Sequence, residues 1–335
     1  MNDELINTLR SVVSNATPLV IASMGETINE RAGMINLSLD GSLALSAMLG
    51  FAAAWHTDSL LVGFGVAAVA GALVALLIAF TNIKLRQDQV AVGFVLTLLA
   101  SDLAQFLGQD YTRIPGPQVS RLSIPLLQDV PVVGPVFFEQ NLLVYFSYAL
   151  VIGAWFWLFR TRYGLVHRAL GERPEAAYAR GTDVTRQRYM YMLIGGALIG
   201  IAGAAYSLNV KPGISNPAGM KGDGWIALAI VIFGGWHPFR VVLGAYLFAT
   251  LRAVSADIQR NGLVIFGQNI EFNFVLLNGL PWALMILTLL LVSSGSIERL
   301  LLVMPRPVQR RLRAFLRSDP PKALGVRFDA DGAND

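Results

Sequence analysis

Nine apolar stretches alternate with short polar connections along this chain. They fall near residues 12–29, 38–56, 59–81, 89–109, 141–159, 189–209, 222–236, 239–257 and 272–293. A hydrocarbon core needs roughly 20 apolar residues per helix, with a range of about 17–25. The pattern therefore predicts an all-α integral membrane protein of about nine transmembrane helices (8–10). The stretch 222–236 is short enough to be re-entrant, but counting it as a crossing keeps the two most basic segments on one side.

Composition agrees with that reading: 54% of the 335 residues are hydrophobic and 14% charged, against roughly 45–50% and about 25% in soluble domains. There are no cysteines, which excludes disulfides, thiolate metal sites and cysteine nucleophiles. The net charge of +4 matters less than where the basic residues fall. Sorting them into alternate connections puts 19 on one side, including the segment 160–188 and the C-terminal tail, and 6 on the other. Enrichment of Lys and Arg in cytoplasmic loops then predicts an outside N-terminus and an inside C-terminus. The start MNDELINTLRSVV lacks a basic n-region and a cleavage site, so no removable signal peptide is expected.

Two stretches resemble each other. AGMINLSLDGSLAL (32–45) leads through Trp55-His56 to LLVG, and AGMKGDGWIAL (218–228) leads through Trp236-His237 to VVLG. In the topology above they run in opposite directions, as an inverted-topology repeat would. The expected organisation is a polytopic membrane domain over 1–297. Its first repeat covers about 12–109, a connecting span 141–159, a polar loop 160–188 and a second repeat about 189–293. A basic tail, partly disordered, occupies 298–335.

Short, Gly-interrupted segments at matching positions of such repeats point to a pathway near the membrane midplane. Asn36, Ser38, Asp40 and Ser42 sit where the first begins, and Asp223 is the counterpart of Asp40. Each Asp also fits a plainer role, capping free N–H groups at a helix start. Asp102 lies inside the fourth apolar stretch with Gln105 close by. An ionisable residue there is a candidate for ion coupling, or a carboxylate hydrogen-bonded near a membrane edge. Asn278, followed by Gly279 and Pro281, marks a further local break.

The polar stretch GERPEAAYARGTDVTRQR (171–188) has its own logic. Pro174 suits the first helical position, Glu175 adds negative charge to the first turn, and Gly181 can take the left-handed conformation that ends a helix. Ala176, Ala177 and Ala179 favour helix without bulk. The pattern predicts a two-turn helix that lets another backbone come close, with Thr182 or Asp183 capping the next helix. A plain solvated helix whose arginines touch anionic lipid is the competing account.

Together these residues make the chain resemble permease subunits of ATP-binding-cassette (ABC) importers, in the ribose, nucleoside and branched-chain amino acid group. In that family a helix of pattern G-x-x-P-x-A-A-x-x-x-G docks on the ATPase. The matching positions are Gly171, Pro174, Ala176, Ala177 and Gly181, with Glu172, Glu175 and Arg180 in the same segment. MGETINERAGMINLSLDG (24–41) and GWIALAIVIFGGWHPF (224–239) are similar to the nucleoside and simple-sugar branch. The resemblance implies a translocation subunit of a prokaryotic plasma membrane transporter for a nucleoside or simple sugar. Its implied partners are an ABC ATPase, a second permease subunit (identical or related) and an extracytoplasmic substrate-binding protein.

No Gly-Lys-Ser/Thr occurs, so the phosphate-cradling loop of an ATPase is missing and ATP would be bound by the partner. His56, His167 and His237 are far apart without zinc spacing, and no G-x-S-x-G elbow appears. We therefore expect no catalytic residue, metal or cofactor. The tail 299–317 mixes basic residues with Leu and Phe, a pattern suited to a lipid surface, and nothing suggests nucleic acid. The alternative function is an ion-coupled secondary transporter using Asp102 or Asp40.

Overall fold

The computed structural model describes residues 3–214, 222–265, 268–270, 279, 283, 286 and 320–329. Asn278, most of the stretch 272–293 and the basic segment 299–317 lie outside the described residues. Ten helices order the rest: α1 (Asp3–Arg31), α2 (Leu39–Thr57), α3 (Leu60–Ile83), α4 (Gln89–Leu107), α5 (Leu142–Arg160), α6 (Arg162–Glu172), α7 (Pro174–Ala179), α8 (Val184–Ala205), α9 (Asp223–Phe233) and α10 (Pro238–Asn261). A π-helical turn, Tyr206–Val210, extends α8. Two small antiparallel ribbons are also present: β1 (Arg121–Ser123) with β2 (Glu139–Asn141), pairing Leu122 opposite Gln140, and β3 (Leu263–Ile265) with β4 (Gln268–Ile270).

Among the described residues, five helical stretches are long and apolar enough to cross a membrane: α3, α4, α5, α8 with its π turn, and most of α10. Their outward faces carry large apolar side chains, for example Leu61, Val69, Leu73 and Leu77 on α3 and Val95, Leu98, Leu99 and Phe106 on α4. An apolar surface of this extent is what lipid contact requires. α1 differs because it is the centre of the bundle. Every residue from 16 to 30 is buried, packed by α5, α8, α9 and α10, so Glu26, Asn29 and Glu30 face protein rather than lipid.

α3 and α8 make the most extensive helix pair, and small residues explain it. Gly63, Ala67 and Gly71 on α3 and Gly196, Gly200 and Ala204 on α8 each recur every four residues, so both helices present a flat stripe. A Cβ on Gly71 would stand 2.6 Å from the Gly200 amide nitrogen. Such stripes let helix backbones approach closely.

The bundle has two ends. At one, the Arg31 Nε donates to the Trp236 carbonyl at 3.2 Å, and the turn 84–88, α6, α7 and residues 320–329 gather nearby. At the other, the Arg113 amide donates to the Ile214 carbonyl at 3.2 Å, Asn141 bonds Asn209 at 2.6 Å and Arg10 pairs with Glu139 at 2.7 Å. Between Ile214 at the second end and Trp236 at the first, α9 supplies only 11 residues. At 1.5 Å per residue that is roughly 16 Å, about half of a hydrocarbon core. α9 alone is therefore too short to cross a hydrocarbon core.

Asp40 and Asp223 both stand in the first turn of their helices, α2 and α9. The two Trp-His pairs diverge: Trp55 is exposed in the last turn of α2, whereas Trp236 is buried in the turn after α9 and donates its indole N–H to Glu30.

Candidate functional site

The helix expected after Arg173 is present as α7. Pro174 occupies its first turn, and Gly181 adopts φ +83°. The Thr182 amide donates to the Ala177 carbonyl at 3.1 Å and the Gly181 amide to Tyr178 at 2.8 Å, the paired bonds that close a helix ending in a left-handed residue. Of the two candidate caps for α8, Asp183 acts: its carboxylate accepts from the Arg186 amide at 2.9 Å. Pro174 and Ala177 face inward, and Glu175, Ala176, Ala179 and Arg180 face outward. Gly171 is buried against Arg31, and Glu172 is half-buried. α7 therefore projects a small, charge-flanked face from a fixed base.

That base includes α6, which the polar loop conceals in sequence. Thr161 caps it by accepting from Gly164 at 3.0 Å. His167 on α6 is fully buried, stacked on Tyr191 with ring centroids 4.0 Å apart, and its Nε2 donates to the Ile28 carbonyl at 2.8 Å. Burial, with help from the Arg31 and Arg168 charges, pushes its pKa down to about 3. The imidazole is a neutral rivet between α6 and the end of α1.

The break between α1 and α2 is held by a buried polar network. Asn36 donates its amide to Glu26 at 2.9 Å, and its side-chain oxygen accepts from the Ser38 hydroxyl at 2.6 Å. Ser38 and Ser42 share a hydroxyl contact of 3.0 Å. All four residues are buried. Their hydrogen bonds satisfy the backbone that an interrupted helix frees.

A cavity of about 480 Å³ opens in the interior between α1, α2, α4, the π turn of α8, α9 and α10. Its polar wall includes Ser11, Asn15, Tyr206, Ser207, Asp223 and Arg252. Asp223 pairs with Arg252, whose Nη1 donates at 3.0 Å. Asp40 stands behind this wall and accepts from the Gly222 and Gly224 amides at 2.8 and 3.0 Å.

Of the residues singled out in sequence, Asp223 lies on the cavity wall, Asp40 supports it, and Asn36 and Ser38 build the break. Asp102 lies apart, on the exposed face of α4. Sequence reasoning missed Arg252 as a partner of Asp223, although an arginine inside an apolar stretch was a signal. It also missed the stripe Thr8, Ser11 and Asn15, spaced three and four apart on one face of α1.

Comparison with known proteins follows the same lines. The family model described as the branched-chain amino acid transport system / permease component matches residues 8–294. TsgC13 of Haloferax volcanii, whose name assigns it provisionally as a glucose ABC transporter permease protein, is 36% identical over 261 residues, 77% of this chain and 79% of its own. The nucleoside ABC transporter permease protein NupC of Lactococcus lactis is 34% identical, covering 75% and 84%. The guanosine ABC transporter permease protein NupQ of Bacillus subtilis is 34% identical over 93% of both chains.

Proposed function

The chain belongs to the family of permease components of branched-chain amino acid transport systems, and from that premise we propose that its cargo is a nucleoside or a simple sugar. It is a multi-pass membrane protein and the non-catalytic permease subunit of an ABC importer. Permeases of this family work with an ATPase and a substrate-binding protein. The named relatives support a neutral, hydroxyl-rich cargo, and the hydroxyl, amide and charged groups on the cavity wall supply the several donors and acceptors that such a cargo needs.

In this reading a second permease subunit, identical or related, completes the importer in a prokaryotic plasma membrane. The end bearing α6 and α7 faces the cytoplasm and the N-terminus faces outward, supported by the gathering of Arg31, Lys84, Arg86, the arginines of 160–188 and Arg240 toward one end. Nine crossings arranged as an inverted repeat fit the opposed starts of α2 and α9, which meet at Asp40 and Gly224. ATP binds the partner, and this chain holds no cofactor or metal. The ATPase must contact α7 differently in its two nucleotide states, because only differential interaction shifts a conformational equilibrium.

The outward face of α7 carries this reading. Co-expression with an ABC ATPase partner, followed by co-purification, tests it with Ala176→Glu on the outward face and Gly181→Val at the left-handed turn. Gly181 has open space around its Cβ direction, so within this chain that variant acts through the left-handed backbone rather than through a clash. Retention of ATPase by both variants would remove the coupling role from α7. Uptake of labelled nucleoside against labelled sugar in proteoliposomes, with a binding protein added, tests the cargo. Neither Asp40 nor Asp102 lines the cavity, so nothing here favours ion coupling.

A further inference from the structure

Residues 320–329, part of the tail expected to be partly disordered, are seated in the molecule. The Ala323 amide donates to the Gly171 carbonyl at 2.7 Å, and the Gly325 amide to the Gly33 carbonyl at 3.1 Å. Arg188 Nη1 donates to the Val326 carbonyl at 3.1 Å. Arg327 reaches the Arg86 carbonyl, and Asp329 lies 3.8 Å from the Arg86 guanidinium. Phe328 packs its ring 5.5 Å from that of Tyr178 on α7. Pro321 and Ala323 are buried, and Gly325 takes φ +75° to make the turn.

One ten-residue segment thus touches the root of α7, the break after α1, the start of α8 and the α3–α4 turn. We propose that residues 320–329 are a strap that ties the coupling helix α7 to the ends of α1, α3 and α8, so that a displacement of α7 is carried to the α1–α2 break. A lid over α7 is the other device such a segment could form. The geometry points to the strap, because Glu175, Ala176, Ala179 and Arg180 stay exposed with the segment in place. Its strongest attachments are backbone bonds to Gly171 and Gly33, which lie beneath α7 rather than on its outer face. The inference rests on α7 being the ATPase-docking helix.

The test uses the full chain with its ATPase and binding protein in proteoliposomes. Ala323→Asp and Gly325→Val loosen the strap without touching the outer face of α7. Expected is an ATPase that still co-purifies, with solute taken up per ATP falling roughly tenfold, inside the range of ordinary coupling. Unchanged uptake per ATP, or loss of the ATPase from these variants, overturns the strap. A second arm needs no disruption: the protein has no cysteine, so Tyr178→Cys with Phe328→Cys offers a unique pair for a short bifunctional thiol reagent. Crosslinked protein that still imports agrees with a strap moving with α7. Import abolished by the crosslink, but not by the reagent on either single variant, would mean a lid and overturn the proposal. Failure of the underlying docking reading shows separately, as ATPase retained by Ala176→Glu and Gly181→Val.

Discussion

The carboxylate of Asp40 caps a helix that starts at the other side of the sequence: its Oδ1 accepts from the Gly224 amide at 3.0 Å as well as from Gly222 at 2.8 Å. Asp40 stands in the first turn of α2 and Gly224 in the first turn of α9. Two helix starts therefore abut, and one carboxylate serves the free N–H groups of the neighbour. The contact is close because Gly224 has no side chain, and a Cβ there would overlap the Asp40 backbone.

Asp40→Ala removes the acceptor from two buried amides and should destabilise the detergent-solubilised protein by about 1–3 kcal/mol. Asp40→Asn keeps one acceptor oxygen and should cost less. Gly224→Ala should cost a comparable ~1–3 kcal/mol through overpacking. Thermal unfolding of the three variants checks the order. An Asn variant as unstable as the Ala variant would mean that charge, not the acceptor, matters at this junction.

Arg252 and Asp223 make a second prediction, because they share the cavity wall. Arg252→Met strands a carboxylate that is 2% exposed. A fully buried pair broken on one side costs about 3–5 kcal/mol, and the 38% exposure of the Arg252 side chain lowers the expectation to about 1–3 kcal/mol. Adding Asp223→Asn should recover most of that loss. A thermal double-mutant cycle reads the coupling, and additive losses would show that the pair contributes nothing.

What could be read from sequence follows from how local each signal is. α7 was legible because Pro174 and Gly181 punctuate it within eight residues. A capping role was legible in kind for Asp40, but the helix that it serves lies 184 residues away and no local pattern could name it; Asp223, read the same way, pairs with the Arg252 side chain instead. The strap left no signal because Ala323 and Gly325 attach through backbone amides, which every residue has. α9 is shorter than its apolar run suggests because that run continues into Gly234 and Gly235, where the helix has already ended. The Thr8, Ser11 and Asn15 stripe was readable in principle, and the π turn that sets Tyr206 and Ser207 beside it was not.

The small-residue stripe between α3 and α8 gives a third prediction. Gly71→Val and Gly200→Val place branched side chains where backbones meet, with the Gly71 Cβ direction only 2.6 Å from the Gly200 nitrogen. Both should reduce folded yield far more than Gly65→Val on the same helix, where nothing lies within 4 Å. Monodisperse recovery on size-exclusion chromatography checks this. Equal recovery of all three would show that the helices part without penalty.

The buried His167 predicts a pH dependence with a definite sign. Its pKa in the folded protein is about 3, below the roughly 6.5 of the unfolded chain. Between those values the unfolded chain binds the extra proton, so the neutral imidazole contributes its full stability above about pH 6.5 and loses it as pH falls toward 3. Over pH 7 to 5 the loss should be about 2 kcal/mol for one such group. His167→Gln can still donate toward the Ile28 carbonyl but does not titrate. It should therefore be less stable than wild type at pH 7.5, where the stacking on Tyr191 is missing, and should close part of that gap at pH 5. His237, also held low at about 4 by burial, is common to both proteins and cancels in the comparison. Parallel thermal-stability curves for wild type and His167→Gln from pH 7.5 to 5 would show that the ring is not held neutral, and the rivet between α6 and α1 would then need a different chemical account.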